Sequence, residues 1–146
     1  MSQPLTTSPI VDLADALRPA ILRVSRRLRQ EAQKAGLSAQ DALLLGHIRK
    51  HPGVGVSALA ELERTSKPTM SAHIKRLEAA GLVARSGDAE DGRRSGLAIT
   101  VAGTRKLEAI RRQRNDWLAA RLARLTPAER AALDAAAAPL LRLADA

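Results

Sequence analysis

The chain of 146 residues has no cysteine, phenylalanine or tyrosine, and Trp117 is its one aromatic residue. The lack of cysteine excludes a disulfide framework, a zinc site made of thiolates and a cysteine-based redox sensor. The lack of aromatic rings disfavours a protein that reads single-stranded nucleic acid, because such proteins stack bases on aromatic side chains. The hydrophobic core must therefore be made of Leu, Ala, Val and Ile.

Long apolar runs are also missing. No stretch approaches the roughly 18 residues that a transmembrane helix needs. The N-terminal "MSQPLTTSPI" lacks the basic start and the apolar run of a signal peptide. We therefore expect a cytoplasmic protein with no membrane partner, and the length is enough for one domain.

Acidic residues are scarce relative to basic ones. The chain carries 15 Asp and Glu against 24 Lys and Arg, which gives a formal net charge of +9. Chains this basic usually bind a polyanion, and with so little to stack bases on, double-stranded DNA is the favoured one. Two alternatives stay open: a merely soluble basic domain, and a membrane-binding surface that uses the arginines of "RRQR", residues 111–114.

The first part of the chain predicts two helices. Apolar residues recur at helical spacing after Ser8, the expected N-cap, and before Gly36: Ile10, Leu13, Leu17, Ile21, Val24 and Leu28. Pro19 interrupts this pattern and is expected to kink or restart the helix. A near capping box, "SAQD" from Ser38, opens a second helix, which "HPGVG" at residues 51–55 ends.

A helix-turn-helix is predicted next. Ser57 is the expected cap of a short helix, "ALAELER", and after "TSKP" a further helix runs from about Lys67 to Ala80. Within this second helix the apolar residues are spaced for burial on one face. The other sides carry polar and basic residues that suit a DNA major groove, although a solvated helix face would have the same pattern: Lys67, Thr69, Ser71, His73, Lys75 and Arg76.

A hairpin follows that helix directly. In "GLVARSGDAEDGRRSGLAIT", residues 81–100, two short apolar runs flank a charged stretch broken by glycines. A hairpin at this place is the wing of a winged helix. Arg93 and Arg94 at its tip are expected to reach DNA from the minor-groove side, and Asp91 to pair with a wing arginine and orient it. The alternative is a freely solvated turn held by glycines.

The C-terminal part predicts one long helix and a last one. The long helix follows the hairpin, and "TPAE", Thr126 to Glu129, is a capping box with proline at the first helical position. Pro139 is expected to kink the last helix or end it early. The terminal helices carry more apolar surface than a small winged helix can cover, which predicts a homodimer.

These motifs together resemble the MarR family of bacterial transcription regulators. The resemblance is carried by residues 57–85, by "DAEDGRR" and by "LAITVAG". Asp88, Asp91 and Arg93 match the family's wing pattern, and Thr100 and Gly103 match its closing Leu-Thr-x-x-Gly segment, with isoleucine in place of leucine. One departure is Gly92, which stands where the family often has a first basic residue.

The resemblance implies a mainly α fold with a small β-hairpin wing, in one domain over residues 1–146. Residues 8–35 and 101–145 would form the dimerisation part, and residues 38–100 the winged helix-turn-helix. It also implies a homodimer on an inverted-repeat operator, with a recognition helix in the major groove and a wing arginine in the minor groove. Many relatives are repressors that a small, often anionic ligand releases from DNA, so a small-molecule effector is a possible partner of this chain.

Two rival functions belong to other classes. A non-specific architectural DNA-binding protein without effector would share the basic charge but needs no base-reading helix face. An enzyme would need catalytic residues, and none is suggested around the three histidines, His47, His51 and His73. His47 and His51 stand one helical turn apart and could ligate zinc, but no third ligand lies at useful spacing. We therefore predict no catalytic residue, no metal and no cofactor.

Overall fold

The computed structural model describes residues 8–86 and 96–146. The described part is mainly helical with a small antiparallel hairpin, as predicted. In chain order it forms α1 (Pro9–Lys34), α2 (Ala39–Lys50), α3 (Val56–Leu62), α4 (Lys67–Ala79), β1 (Val83–Ser86), β2 (Gly96–Ile99), α5 (Val101–Leu122) and α6 (Pro127–Asp145).

Side-chain caps fix where several helices begin. The Ser38 hydroxyl accepts a hydrogen bond from the backbone N–H of Asp41 at 3.1 Å, as the near capping box predicts. Thr126 does the same for Glu129 at 3.2 Å, so α6 begins where "TPAE" predicts. Ser66 caps α4 by accepting from the N–H of Thr69 at 3.3 Å.

Two predicted caps are wrong in detail. Ser57 lies inside α3, because the carbonyl of Gly55 already accepts from the N–H of Leu59 and makes Gly55 the N-cap. Ser8 does stand at the N-cap of α1, but its side chain makes no capping hydrogen bond. Its carbonyl instead begins the helical ladder by accepting from the N–H of Asp12.

The two internal prolines do not divide their helices. α1 continues through Pro19 to Lys34, and α6 continues through Pro139 to Asp145, so neither a restart nor an early end occurs. A proline removes its own N–H from the ladder, and its ring crowds the carbonyl four residues before it. The apolar spacing on both sides favours one continuous helix strongly enough to outweigh that local loss.

The hydrophobic core lies between the helix-turn-helix, the hairpin and the first half of α5. On α4 the face predicted to be buried is buried, with Met70 and Ile74 at 0% exposure and Leu77 at 1%. The other fully buried large side chains come from α2, α3, β2 and α5: Leu44, Leu45, Ile48, Leu59, Leu97 and Ile110. Among the residues described, the core is thus aliphatic apart from the thioether of Met70.

The hairpin is held on both sides of β2. On one side, β2 pairs with β1, with Ile99 opposite Val83. On the other side, Leu97 of β2 exchanges backbone hydrogen bonds of 2.9 Å with residues 53 and 54 in the loop after α2. A Cβ on Gly96 would lie 2.7 Å from the Cα of Gly53, so the two backbones approach more closely than any side chain permits. The loop before α3 therefore fixes the position of the wing's second strand.

The Thr-x-x-Gly segment joins the hairpin to α5. The Thr100 hydroxyl donates to the carbonyl of Gly81 at 2.6 Å and accepts from the N–H of Gly103 at 3.0 Å. A Cβ at position 103 would lie only 2.3 Å from the carbonyl oxygen of Leu82. Glycine is required there because α5 packs directly on the backbone of the chain that enters β1.

Helices α1 and α5 pack against each other near the end of α1. The buried carboxylate of Glu31 accepts hydrogen bonds from Lys34 at 2.8 Å and from Gln113 of α5 at 3.0 Å. These two hydrogen bonds, that of Lys34 first, lower the pKa of the Glu31 carboxyl below its usual value. Gln113 thereby ties the two helices together at a charged, buried point.

Beyond that point the terminal helices expose apolar side chains. Among the described residues every buried one lies between Glu31 and Ile110, and α6 buries none. Large apolar residues of α1 and α6 that are about half exposed or more include Ile10, Leu13, Leu22, Leu133, Leu141 and Leu143. None of the helices described is long and apolar enough to cross a membrane.

Candidate nucleic-acid interface

The outward face of α4 is polar and basic. With Met70, Ile74 and Leu77 turned into the core, the remaining positions face away from it. Four of the residues predicted for DNA binding are exposed and two are partly buried: Lys67, Thr69, Lys75 and Arg76 in the first group, Ser71 and His73 in the second. The sides of α4 that turn away from the core therefore carry hydroxyls, an imidazole and cations, the groups that bind base edges and phosphates.

Thr69 is part of the cap of α4. Its N–H donates to the hydroxyl of Ser66, and that hydroxyl donates in turn to Oγ1 of Thr69 at 2.8 Å. The Thr69 oxygen is therefore held in place as an acceptor, and the cap does not use the Thr69 O–H as a donor. A hydroxyl fixed in this way at the first turn of an exposed helix is well placed to donate a hydrogen bond outward.

Arg76 is engaged within the protein. Its Nη2 donates to Oδ1 of Asp41 at 2.6 Å and lies 2.9 Å from Nδ1 of His73. The Asp41 side chain is 11% exposed and that of Arg76 is 56% exposed. Sequence reasoning did not find Asp41, because it is 35 positions away along the chain and its place in "SAQD" is explained by capping alone.

The basic turn before α4 also escaped sequence reasoning. Arg64 is exposed and has a φ of 50°, in the left-handed region that side chains rarely adopt. The turn is held by the N–H of Thr65, which donates to the carbonyl of Ala60 at 2.9 Å. The turn therefore places an exposed arginine directly before the cap of α4.

The predicted wing tip lies outside the described residues. Asp91, Arg93 and Arg94 all fall within residues 87–95, and their roles stay predictions. At the base of the hairpin, Arg85 donates to Oε1 of Glu78 at 2.9 Å. This pair connects β1 to the end of α4, so the hairpin and the helix are fixed to each other.

A basic groove lies behind the helix-turn-helix, between α2 and α5. Its volume is about 690 Å³. Its walls combine apolar side chains such as Leu43 and Leu107 and one carboxylate, that of Glu108, with cationic and imidazole groups: Arg29, His47, Arg49, Lys50, Arg111 and Arg114. Such a lining suits a small molecule that carries a negative charge.

Trp117 does not line that groove. Two guanidinium groups lie over its ring, that of Arg121 4.1 Å and that of Arg27 5.7 Å from the ring centroid. Its buried indole N–H has no hydrogen-bond partner among the described residues. The ring therefore lies between α1 and α5 and not in the groove between α2 and α5.

His47 and His51, the two histidines spaced to ligate zinc, have different surroundings in the structure. His47 lies half-buried with Nε2 2.9 Å from Oε1 of Glu63, which links α2 to the end of α3. His51 is the exposed C-cap of α2. Within residues 8–86 and 96–146, no group of three or more His, Cys, Asp or Glu side chains is arranged to hold a metal ion.

Comparison with known proteins adds a family and its relatives. Residues 35–94 match the model of the MarR family. The HTH-type transcriptional regulator MT0903.1 of Mycobacterium tuberculosis is 35% identical over 133 residues, which are 91% of this chain and 93% of that one. The HTH-type transcriptional repressor MdtR of Bacillus subtilis is 25% identical over 118 residues, 81% of this chain and 76% of that one.

A solved structure is similar over nearly the same length. A Pseudomonas aeruginosa protein described as a transcriptional regulator superposes with a TM-score of 0.80 at 34% identity. The match covers 94% of this chain and 97% of that one. The likeness thus includes the terminal helices as well as the helix-turn-helix.

Proposed function

Because the chain belongs to the MarR family of winged helix-turn-helix transcription regulators, we propose that it is a dimeric repressor of an inverted-repeat DNA operator. The observation that carries the proposal is the outward face of α4, which is polar and basic along its length while its other face completes the core. Repression is supported by the name of the relative MdtR, a transcriptional repressor. The family is one of regulators and not of enzymes.

The proposed contacts divide between bases and phosphates. Thr69, Ser71 and His73 carry groups that hydrogen-bond to base edges, and Lys67 and Lys75 carry cations that neutralise phosphates. Arg93 and Arg94 of the wing are proposed to add contacts on the minor-groove side, with Asp91 orienting one of them. Arg76 belongs to this face too, although Asp41 holds one of its nitrogens.

The proposed dimer explains the exposed apolar side chains of α1 and α6. A groove of about 980 Å³ between these helices is lined mainly by aliphatic residues, including Leu13, Leu17, Ile21, Val24, Leu133 and Leu140. Leaving such a surface in water costs roughly 25 cal/mol for each Å² of apolar area. A second copy of the chain, with the same α1 and α6, is the occupant we propose for it.

Two-fold symmetry then gives the form of the operator. Two recognition helices related by a dimer axis read half-sites about one DNA turn apart, ~34 Å. The half-sites are inverted repeats because the two copies of α4 are identical. Release from DNA is proposed to occur when an anionic small molecule binds the basic groove between α2 and α5, where Arg49 and Arg111 would face its charge.

Selection and titration test the proposal. Genomic fragments bound by the protein should share an inverted repeat, and competition with bulk DNA should leave that operator bound. Affinity should fall steeply with salt as counterions are released from phosphates. Equal affinity for all duplexes would identify the alternative, a non-specific architectural protein, and an affinity that did not change with salt would contradict the phosphate contacts.

A further inference from the structure

A chain of hydrogen bonds runs from α2 to the outward face of α4. The carboxylate of Asp41 accepts from Nη2 of Arg76 at 2.6 Å, and the same nitrogen lies 2.9 Å from Nδ1 of His73. A guanidinium nitrogen has only protons to give and no lone pair to accept with. Nδ1 of His73 must therefore accept, and in the neutral imidazole the proton is on Nε2.

We propose that His73 determines sequence specificity as a fixed hydrogen-bond donor, whose Nε2–H binds the N7 of a guanine in the major groove. Asp41 and Arg76 are positioning residues that hold the imidazole in this tautomer. The inference rests on the proposed DNA-binding function and names one of its base contacts. Guanine is the base whose major-groove edge offers two acceptors side by side.

The fixed tautomer is what gives discrimination. An imidazole that is free to exchange its proton between the nitrogens presents a donor to one base and an acceptor to another. With Nδ1 occupied by Arg76, the acceptor is used up, and the amino group of cytosine would meet a second donor. The partly buried ring of His73 is also restricted in how it turns.

Asp41 is suited to hold Arg76 in this place. Its side chain is 11% exposed and belongs to the first turn of α2, whose cap is a hydrogen bond from the Asp41 backbone to Ser38. That cap uses the backbone N–H, so replacing the side chain leaves it intact. The carboxylate also balances the charge of Arg76, which makes this arginine a poorer phosphate ligand than Lys67 or Lys75.

The tautomer is measured first, in the protein without DNA. Imidazole nitrogen chemical shifts should place the His73 proton on Nε2 in the wild type, with the signal assigned by its loss in His73→Ala. Asp41→Asn should shift the ring toward a mixture of tautomers. The matched control is Asp15→Asn, which removes the carboxylate of the exposed Asp15–Arg18 pair of α1 and should leave the His73 signal unchanged. A wild-type ring with its proton on Nδ1 would overturn the inference.

The base contact is measured next, with 7-deazaguanine substituted for guanine one position at a time in the selected operator. At one guanine in each half-site, removal of N7 should lower the affinity of the protein for the operator roughly 3- to 10-fold, the range of one hydrogen bond. His73→Ala should abolish that loss at the same guanine and at no other, and Asp41→Asn should reduce it and raise the tolerance for cytosine there.

The results that would overturn the His73 contact differ from the result that would overturn the proposed function. A wild-type protein that prefers its operator but loses nothing at any 7-deazaguanine, or a His73→Ala protein that keeps the loss, would overturn the role of His73 alone. A wild-type protein that binds all duplexes alike would overturn the proposed function and this contact with it.

Discussion

The middle of the chain and its two ends solve the burial of apolar side chains differently. Between Glu31 and Ile110, helices and hairpin cover one another and leave a core in which residues such as Leu44 and Ile74 are fully buried. At the ends, the first part of α1 and all of α6 bury none of the residues described. The same residue types, Leu, Ile, Val and Ala, occur in both regions.

The difference teaches that composition does not decide whether the apolar face of a helix is covered within its own chain. α4 needs only the elements next to it in the chain, because α3 before it and β1 after it pack against it. α6 has an apolar stripe of similar chemistry and a groove beside it instead of a neighbour. An apolar stripe without a neighbour indicates a partner, and here we propose a second copy.

The largest effect should come from removing α6. A chain that ends at residue 125 is expected to lose the dimer, and with it most of the operator affinity, because one half-site contact remains in place of two. Light scattering measures the dimer and operator titration the affinity. A folded monomer of the full chain, or a truncated chain that stays a stable dimer, would contradict the proposed dimer.

A matched pair of leucines sharpens the same test. Leu133 of α6 is 48% exposed and lines the apolar groove, whereas Leu62 of α3 is 54% exposed and lies outside it. Leu133→Glu should weaken dimerisation because it places a charge where the second copy packs. Leu62→Glu should not, and equal effects of the two would mean that the groove is not the interface.

A second prediction concerns the close packing of the middle region at Gly103. Gly103→Ala should lower the free energy of unfolding by about 3 kcal/mol, since its Cβ meets the Leu82 carbonyl and a side-chain atom of Ile99. Gly46→Ala is the control: nothing lies within 4 Å of its Cβ in α2, and alanine favours helix by roughly 0.5–1 kcal/mol. Both are measured by denaturation at one protein concentration. Equal stability of the two variants would contradict the close packing at residue 103.

The middle region was largely predictable from the sequence because its signals are local. The spacing of Met70, Ile74 and Leu77 predicts the buried face of α4, and the capping oxygen of Ser38 predicts where α2 begins; the structure confirms these predictions. The Thr100 and Gly103 segment was found by resemblance, and the structure supplies its reason, a cap beside a close backbone contact.

What could not be predicted depends on distance along the chain or on competition between neighbouring signals. The ion pair of Asp41 and Arg76 joins residues 35 apart, and nothing near either one indicates the other. At the start of α3, Gly55 and Ser57 both favour a helix N-terminus, and only the packed structure decides between them. At Pro19, amphipathic spacing over the whole of α1 outweighs a local helix breaker.

The third prediction concerns the wing. Arg93→Ala should weaken operator binding by about 1–3 kcal/mol, without changing dimerisation or the thermal midpoint, because a tip arginine contacts only DNA. If one phosphate contact is lost, the slope of affinity against salt should flatten by about one unit. Asp91→Ala should do less harm, since it removes orientation and leaves the cation.

The control for the wing is Arg18→Ala, which removes an exposed arginine of α1 that pairs with Asp15. It lowers the net charge by the same amount but lies far from the helix-turn-helix in the chain. Operator affinity that responds alike to both substitutions would indicate a general effect of charge. An Arg93→Ala protein that binds like the wild type would mean that the tip is a solvated turn.

The smallest effect should appear where the two regions meet, at Glu31. Hydrogen bonds from Lys34 and then Gln113 hold the pKa of this carboxyl below its ordinary value of 4.5. A carboxyl whose pKa is lowered on folding contributes stability above its unfolded value, and that stability is lost as pH falls through the folded pKa. Glu31→Gln should therefore lower the unfolding free energy at neutral pH and converge with the wild type in acid. Glu61→Gln, an exposed glutamate of α3, should show no such trend. If the loss of unfolding free energy in Glu31→Gln stayed constant with pH, it would come from packing. The charge of Glu31 would then not contribute to holding α1 against α5.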